Sequence, residues 1–509
     1  MISMRDFRLG AIAVAVAFGL AACSKEEPKT EVAKEAAKDA PPPPPQESIV
    51  RIGHAAPLTG GIAHLGKDNE NGARLAIEQA NAKGLTIAGS KVKFELVAED
   101  DEEKPDKGPI IAQKFADAKV AGVVGHLNSG VTIPASAVYN QAGLPMISGS
   151  ATNPKLTEQG FKNIFRVVGR DDQQGPAIAS YLASEFKPKT VAVIDDATAY
   201  GEGLANEVEK ALKSAGVNVL AREKGTKDTK DWKAILTKLR GRKPDAIFYG
   251  GMDATGGPLL KQGRELGIKA VFAFGDGACT EEMKKLAGDK HADGLVCSQA
   301  GIPVQAASKD FLESYKTKFN IEPILYSPFT FDAANLLIAA MQKADSVDPA
   351  KYLPALASIK FKGASGDIEF DEKGDRKDAE MTIFTMKEGK LAPVAIVKAG
   401  TTTKFEEFMK AAEAASAAAK AAMSKAGEAV SAGADAAKEG TAKAVDAAKE
   451  GAAKAVDAAK DATGKAVEAA KDATGKAVGE AKDVAAKVVD GAKDVAGKAV
   501  DGAKDMMKK

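Results

Sequence analysis

The sequence predicts a mixed α/β protein with two lobes, each built on a parallel β-sheet. Between about residues 48 and 400, short runs rich in β-branched residues alternate with longer segments whose apolar residues recur at helical spacing. Strands that alternate with helices form βαβ units, and their right-handed crossovers place helices on both faces of a parallel sheet. This stretch of roughly 350 residues is too long for one ordinary hydrophobic core, so two lobes are expected.

The individual elements follow the same patterns in chain order. The first strand is predicted at 49–53, where three of the five residues are β-branched, and the first helix at 72–83, where alanine and isoleucine recur at spacings of three and four. Further strands are predicted at 94–97, 120–125, 190–194, 246–249 and 271–274. Further helices are predicted at 110–118, 203–214 and 259–266.

The N-terminal residues 1–22 have the pattern of a secretory signal peptide. Arg5 and Arg8 lead into an apolar run of about 14 residues, which is shorter than the roughly 20 needed to span a bilayer. The run ends in Leu-Ala-Ala-Cys at 20–23, which resembles the bacterial lipobox. That resemblance implies that Cys23 becomes the first mature residue and carries lipid, and Ser24 after it favours the outer membrane. Ordinary signal cleavage beside an unrelated cysteine is the alternative.

Two segments of biased composition flank the α/β region. Residues 23–47 are rich in lysine, glutamate and alanine and contain five consecutive prolines, which favour an extended, semi-rigid linker. Residues 405–509 form a tail of Ala, Lys and Asp with an eleven-residue repeat, in which a valine recurs at 445, 456, 467, 478, 489 and 500. Eleven residues make about three helical turns, so a given position of the repeat would return to the same face of a helix. The tail is expected to be either an amphipathic helix or disordered.

Composition and motifs argue against several classes of function. A net charge of +1 and a single tryptophan give no indication of nucleic-acid binding. The four histidines are scattered and neither CxxC nor HExxH occurs, so no metal site and no cofactor are expected. We find no nucleophile–base pair, and the chain is not expected to be an enzyme.

Two glycine-rich stretches have the spacing of nucleotide-binding motifs. Residues 61–67 fit a P-loop, but Asp68 stands where the motif needs Ser or Thr, and its carboxylate would repel phosphate. Residues 201–206 approach the dinucleotide fingerprint, but Asn206 replaces the third glycine. Neither stretch is expected to bind a nucleotide.

Several segments, taken in order, resemble the type I periplasmic binding proteins for leucine, isoleucine and valine, which serve ABC importers. They include Asn-Gly-Ala-Arg-Leu-Ala-Ile-Glu at 71–78, Pro-Met-Ile-Ser at 145–148, Ala-Thr-Asn-Pro at 151–154, Asp-Gln-Gln-Gly-Pro at 172–176, Tyr-Gly-Glu-Gly-Leu at 200–204 and Asp-Glu-Lys-Gly-Asp at 371–375. The resemblance implies two Rossmann-like lobes joined by three chain crossings. It assigns 48–169 and 298–378 to lobe one, and 170–297 and 379–400 to lobe two.

The resemblance also implies which residues bind an amino acid in the cleft. Ser129 and Thr152 would hold the ligand carboxylate, and the backbone carbonyl of Ser150 would accept from its ammonium. Tyr200 would close over the ligand, and Asp276 would pair with the ammonium where the family usually has Glu. On its own chemistry, a serine that follows a strand and opens a helix suits a carboxylate. The alternatives are that the two hydroxyls cap helices, the tyrosine packs and the aspartate belongs to a turn.

Other positions depart from the family's pattern or are open to two interpretations. Leu65 and Met252 stand at pocket positions that are often tyrosine in the family. An α-amino acid remains the expected ligand, but a strict preference for Leu, Ile or Val does not follow, because the shape of the pocket is altered. Asp171, near the expected hinge, is either structural or functional. Cys279 and Cys297 can pair in an oxidising envelope, and their loop would contribute roughly 3 kcal/mol.

The expected function is therefore capture of an amino-acid-like solute by hinge closure and its delivery to an inner-membrane ABC permease. The expected location is the periplasm or cell envelope, with the membrane reached through lipid on Cys23. A sensory, scavenging or structural lipoprotein on the same fold, anchored at the outer membrane, is the alternative. Uptake that survives deletion of 405–509 would argue against the structural version.

Overall fold

A computed structural model describes residues 47–398, 400–411 and 414 of the 509-residue chain. The predicted signal peptide, nearly all of the linker and nearly all of the repeat tail lie outside the described residues. Among the helices that are described, none combines the length and apolar character needed to cross a membrane.

The first sheet has six strands, and all of its pairings are parallel except the short edge pair β2–β3. In spatial order they are β2 (Thr86–Ile87), β3 (Ser90–Asp100), β1 (Glu47–Ala56), β4 (Gly122–Gly125), β5 (Met146–Ser148) and β6 (Ile164–Arg166). With the helices packed on it, this sheet forms lobe one. Those helices are α1 (Ala63–Lys83), α2 (Lys107–Asp117), α3 (Ser129–Gln141), α4 (Lys155–Glu158), α11 (Lys309–Phe319), α12 (Ser327–Lys343) and α13 (Pro349–Ala357).

The second sheet has eight strands and forms lobe two. In spatial order they are β16 (Thr401–Lys404), β15 (Lys390–Lys398), β14 (Met381–Lys387), β11 (Val296–Gln299), β10 (Val271–Phe274), β9 (Ala246–Gly250), β7 (Thr190–Asp195) and β8 (Asn218–Lys224). Strands β7 to β11 pair in parallel, and β14 to β16 extend the sheet in antiparallel fashion. Its helices are α5 (Asp171–Tyr181), α6 (Ala199–Ser214), α7 (Lys233–Arg242), α8 (Asp253–Glu265), α9 (Glu282–Ala287) and α10 (Asp289–Ala292).

Helices cover both faces of each sheet, as the alternating pattern predicts. In lobe one, Phe115 of α2 and Tyr139 of α3 are buried against one face, and α1 and α12 pack on the other. In lobe two, Val193 of β7 faces α5 and α6, whereas its neighbour Ile194 faces α7 and α8. Successive strand residues point to opposite faces, so each buried strand contributes to two layers of core.

The chain passes between the lobes three times: between β6 and α5, after β11, and before β14. A small antiparallel hairpin, β12 (Lys360–Gly363) with β13 (Gly366–Glu369), precedes the last crossing. Short helical turns lie at Leu182–Phe186, Asp276–Ala278 and Val304–Ala306. The predicted fold class, two Rossmann-like lobes joined by three crossings, is confirmed.

Helix α1 begins nine residues before the predicted start at 72, at Ala63. The prediction was wrong because this first part is polar, with Asp68, Asn69 and Glu70 all buried. Their side chains are hydrogen-bonded or ion-paired within lobe one, which a search for apolar periodicity does not detect.

Candidate functional site

The loops at the carboxyl ends of the parallel strands meet in a cleft between the lobes. Ser129 opens α3 after β4, Thr152 follows β5, Tyr200 lies in the first turn of α6 after β7, and Asp276 follows β10. All four are at least 96% buried. Open α/β sheets bind ligands at this edge, so the topology places the predicted residues where a ligand is expected.

The two lobes touch across this cleft. His64 Nε2 of α1 lies 2.8 Å from Asp253 Oδ2 of α8, and Asn153 Nδ2 donates to the Ala199 carbonyl at 2.6 Å. These contacts join side chains and backbone of opposite lobes, so the structure shows the protein with the lobes closed on each other.

Asp276 is the centre of a hydrogen-bonded group that spans both lobes. Its Oδ1 accepts from the Tyr200 hydroxyl at 2.6 Å and from Gln174 Nε2 at 3.1 Å. Its Oδ2 accepts from the hydroxyl of Tyr326, the residue before α12 in lobe one, at 2.7 Å. Burial raises the pKa of the Asp276 carboxyl, and these three hydrogen bonds oppose that effect.

A second buried carboxyl, Asp171, lies beside this group. It is the first residue of α5 and is fully buried, and neither of its oxygens accepts a hydrogen bond from any residue that the structure describes. Burial, and next the charge of Asp276, raise its pKa well above the usual range. The Thr152 hydroxyl faces this carboxyl and lowers its pKa, but it lies outside hydrogen-bond geometry and is also without a partner among the described residues.

The hydroxyls of lobe one lie at the start of α3. Ser129 Oγ accepts from the backbone N–H of Asn153 at 3.2 Å, which ties the loop after β5 to the helix. The first N–H groups of any helix have no partner within it, so this helix end offers donors to an anion. The Ser150 hydroxyl donates to the His126 carbonyl at 3.5 Å and accepts from Asn69 at 3.1 Å.

The two apolar residues predicted to line the pocket, Leu65 and Met252, lie in different surroundings. Met252 is the residue before α8, and its sulfur lies against Gly277, beside Asp276. It therefore lies close to the turn that carries Asp276. Leu65 is fully buried within the hydrophobic core of lobe one.

Comparison with known proteins decides the family. A sequence profile described as periplasmic binding protein matches residues 49–390, about two thirds of the chain. This chain belongs to the periplasmic binding protein family. Over 341 residues it is 37% identical to a Leu/Ile/Val-binding protein homolog of Brucella abortus, covering 67% of this chain and 91% of that protein. It is 33% identical to a leucine-, isoleucine-, valine-, threonine- and alanine-binding protein of Pseudomonas aeruginosa, covering 66% and 89%.

Solved structures of similar proteins have the same fold. A leucine-binding protein from Thermotoga maritima matches with a TM-score of 0.64 at 29% identity, over 69% of this chain and 99% of that one. A branched-chain amino acid binding protein from Streptococcus pneumoniae, in complex with isoleucine, matches with a TM-score of 0.62 at 28% identity, over 69% and 100%. The resemblance inferred from the sequence, to the branched-chain amino acid binding proteins, is therefore confirmed.

Two residues of this periplasmic binding protein that the sequence did not single out for binding shape the site. Tyr326 reaches Asp276 from lobe one, and Asp68 fixes where Tyr326 lies. The Asp68 carboxylate accepts from the N–H groups of Tyr326 at 2.8 Å and Ser327 at 3.0 Å, and from two residues before them. The sequence gives no sign of this, because the partners lie more than 250 positions apart.

The glycines of both nucleotide-like stretches allow close packing. A Cβ on Gly66 would lie 2.0 Å from the carbonyl oxygen of Pro57, so only glycine lets α1 approach that loop. A Cβ on Gly203 would lie 2.4 Å from Asn153 Nδ2 of the opposite lobe. In this periplasmic binding protein the two motifs therefore serve packing and lobe contact.

Cys279 and Cys297 form a disulfide with a Cα–Cα distance of 5.3 Å. Cys279 ends the turn that carries Asp276, and Cys297 lies in β11. The bond therefore attaches the Asp276 turn to the second sheet.

Proposed function

We propose that this periplasmic binding protein is the solute-binding component of an ABC importer and holds an aliphatic α-amino acid, branched-chain or similar, in the inter-lobe cleft. The observation that carries the proposal is the buried Asp171 carboxyl, without a hydrogen-bond partner among the described residues, next to Asp276. An unpaired buried charge costs several kcal/mol, and two neighbouring carboxyls repel each other. A cation bound there removes both costs.

An α-ammonium group fits this position. It carries three N–H donors, and neither buried oxygen of Asp171 has a hydrogen-bond partner among the described residues. A charge-assisted hydrogen bond of this kind contributes about 1.5–3 kcal/mol. The ammonium therefore supplies the positive charge that the two carboxyls lack.

The carboxylate of an amino acid zwitterion would lie against the lobe-one side of the cleft. Ser129, Thr152 and the N-terminus of α3 offer donors to a carboxylate. Met252 and Leu65 are both apolar and would keep the surroundings of the ligand side chain apolar. The relatives named above for leucine, isoleucine and valine support an aliphatic side chain.

We propose further that the protein binds its solute without chemical change and works in the periplasm with a permease of the inner membrane. The family's role as solute-binding proteins supports this. Lobe closure would bury the ligand, with 48–169 and 298–378 moving against 170–297 and 379–400. Lipid on Cys23 would hold the protein at a membrane, through the linker at 23–47. Replacing Cys23 with Ser should release the protein from membranes, whereas continued membrane association would contradict lipid anchoring.

Calorimetric titration tests the ligand assignment. Leucine should bind, and 4-methylpentanoate, which lacks only the ammonium group, should bind at least tenfold more weakly. Asp276→Asn should weaken leucine binding by roughly 10- to 150-fold, the equivalent of one charge-assisted hydrogen bond. Glu313→Gln, which removes an exposed carboxylate on α11, is the matched control. Equal affinity for the two ligands, or no effect of Asp276→Asn, would contradict the proposal.

A further inference from the structure

The loop at 151–153, which carries Thr152, belongs to neither a strand nor a helix and is buried between β5 and α4. Buried backbone polar groups outside regular structure need hydrogen-bond partners from elsewhere in the molecule. The Thr152 hydroxyl has no partner among the described residues, so it does not hold the loop in place. The position of this hydroxyl therefore depends on the groups that hold the backbone on either side of it.

A single arginine holds the backbone on both sides of Thr152. Arg166 is the last residue of β6 and is fully buried. Its Nη1 donates to the Ala151 carbonyl at 3.0 Å and to the Asn153 carbonyl at 2.9 Å. Nη1 carries two N–H groups, and the planar guanidinium fixes the directions in which they point. Thr152 thus lies between two backbone carbonyls that are bound to one rigid group.

The guanidinium of Arg166 is itself held by other side chains of lobe one. Its Nε donates to Asp375 Oδ1 at 2.6 Å, and its Nη2 donates to the Thr157 hydroxyl at 2.6 Å. That hydroxyl in turn lies 2.9 Å from both oxygens of the Asp375 carboxylate. Burial raises the pKa of the Asp375 carboxyl, but the charge of Arg166 and the hydrogen bonds that the carboxyl accepts outweigh burial, so the pKa is lowered. The ionised carboxylate pairs with the buried charge of Arg166 and keeps the guanidinium in one position.

Arginine suits this position and lysine does not. The Arg166 guanidinium donates to four acceptors, namely the Asp375 carboxylate, the Thr157 hydroxyl and the two loop carbonyls. A lysine ammonium has only three N–H donors, all on one nitrogen at the end of a flexible chain. Arg166→Lys therefore keeps a positive charge beside Asp375 but leaves the loop with fewer donors.

We propose that Arg166 is a positioning residue for the carboxylate end of the amino acid site, because it holds the loop at 151–153 so that the Thr152 hydroxyl faces the ligand carboxylate. Arg166 would act through the loop and would not contact the ligand. This inference rests on the proposed function, since it requires that Thr152 receives the carboxylate of a bound amino acid.

A double-mutant cycle on the full chain, measured by calorimetric titration with leucine, tests the inference. Arg166→Lys should lower leucine affinity about fivefold or more when Thr152 is present. The same substitution should lower it by no more than about twofold in the Thr152→Ala protein, because the hydroxyl that Arg166 positions is then absent. A merely structural role would lower affinity by the same factor in both backgrounds.

Asn163→Ala is the matched control, because Asn163 lies just before the other end of β6 and also holds two backbone carbonyls. Its buried Nδ2 donates to the carbonyls of Tyr139 and Leu144 at 3.1 and 2.8 Å. The control should lower thermal stability and leave leucine affinity unaltered. If Arg166→Lys fails to fold by circular dichroism, Thr157→Val, which removes one acceptor of the guanidinium, decides the question. It should lower leucine affinity about threefold alone and have no further effect with Thr152→Ala.

The failures of the two proposals are distinguishable. Equal factors in the two backgrounds, or an unaltered affinity in the Arg166→Lys protein, would overturn the positioning role and leave the proposed function intact. Binding of no α-amino acid by the wild type would overturn both.

Discussion

At the scale of single residues, ligand binding depends on which groups donate hydrogen bonds to the Asp276 carboxylate. Tyr200 and Gln174 belong to lobe two with Asp276, whereas Tyr326 belongs to lobe one. Tyr326 is therefore the donor whose bond to Asp276 forms only when the lobes close. A hydrogen bond to a charged group contributes more than a neutral one, so its loss should be measurable.

Tyr326→Phe should weaken leucine binding by roughly 10-fold or more, because about 1.5 kcal/mol of closed-state stabilisation is lost. Calorimetric titration gives the affinity. Tyr352→Phe is the matched control, since that buried hydroxyl donates to the Ala121 carbonyl within lobe one. The control should lower thermal stability and leave affinity unaltered. Equal affinities for the Tyr326 variant and the wild type would show that this hydroxyl does not support closure.

The sequence predicts only part of this chemistry. Ser129, Thr152 and Asp276 follow strands, so position relative to the strands, together with family resemblance, identifies them as candidates. Tyr326 stands 50 positions from Asp276 and has no motif around it. For Asp171 the sequence left structural and functional roles open, because burial without a partner is visible only in three dimensions.

At the scale of elements, the N-terminus of α12 determines where Tyr326 lies. Four consecutive N–H groups at that helix start donate to Asp68, at 2.8–3.0 Å. A carboxylate at a helix N-terminus is favoured both by these hydrogen bonds and by the helix dipole. The stretch that resembles a P-loop thus contributes an anion of its own to a helix end instead of binding one.

Asp68→Ala should lower the free energy of unfolding by about 2–4 kcal/mol, because it leaves buried N–H groups without an acceptor. Asp68→Asn keeps one acceptor oxygen and should lose less. Urea denaturation measures both variants. Leucine affinity should fall in the same order, since Tyr326 loses its support. A stable Asp68→Ala protein with wild-type affinity would refute the positioning role.

At the scale of the whole molecule, the sequence predicts the two lobes but not all of their strands and helix boundaries. Alternating strands and helices predict the parallel sheets and their covering layers. The antiparallel strands β14 to β16 were not predicted, because they follow a lobe crossing, and β14 joins them to the sheet by pairing with β11, more than 80 residues earlier. The start of α1 was missed because its first turns are polar and buried.

The cross-lobe pair of His64 and Asp253 should make closure depend on pH. Burial alone lowers the pKa of His64, but the hydrogen bond and charge of Asp253, aided by Glu282, outweigh burial and the opposing charge of Lys285. The pKa is therefore raised in the closed form. The stabilisation is complete below the ordinary histidine pKa of about 6.5 and is lost as pH rises through the raised value.

The ratio of wild-type affinity to His64→Gln affinity for leucine should therefore be several-fold larger in mildly acidic than in mildly alkaline solution. Taking the ratio cancels the titration of other groups in the cleft. The same ratio for His291→Gln, a histidine of α10 that bonds to the Ala287 carbonyl, should stay constant. A His64 ratio that does not change with pH would exclude this pair as a contributor to closure.

A crystal structure of the protein grown with leucine tests the proposed amino acid site most clearly. We expect the ligand nitrogen within about 3 Å of carboxyl oxygens of both Asp171 and Asp276, and the ligand carboxylate at Ser129 and Thr152. A ligand bound in the reverse orientation, or one bound elsewhere while the Asp171 carboxyl stays unpaired, would contradict it.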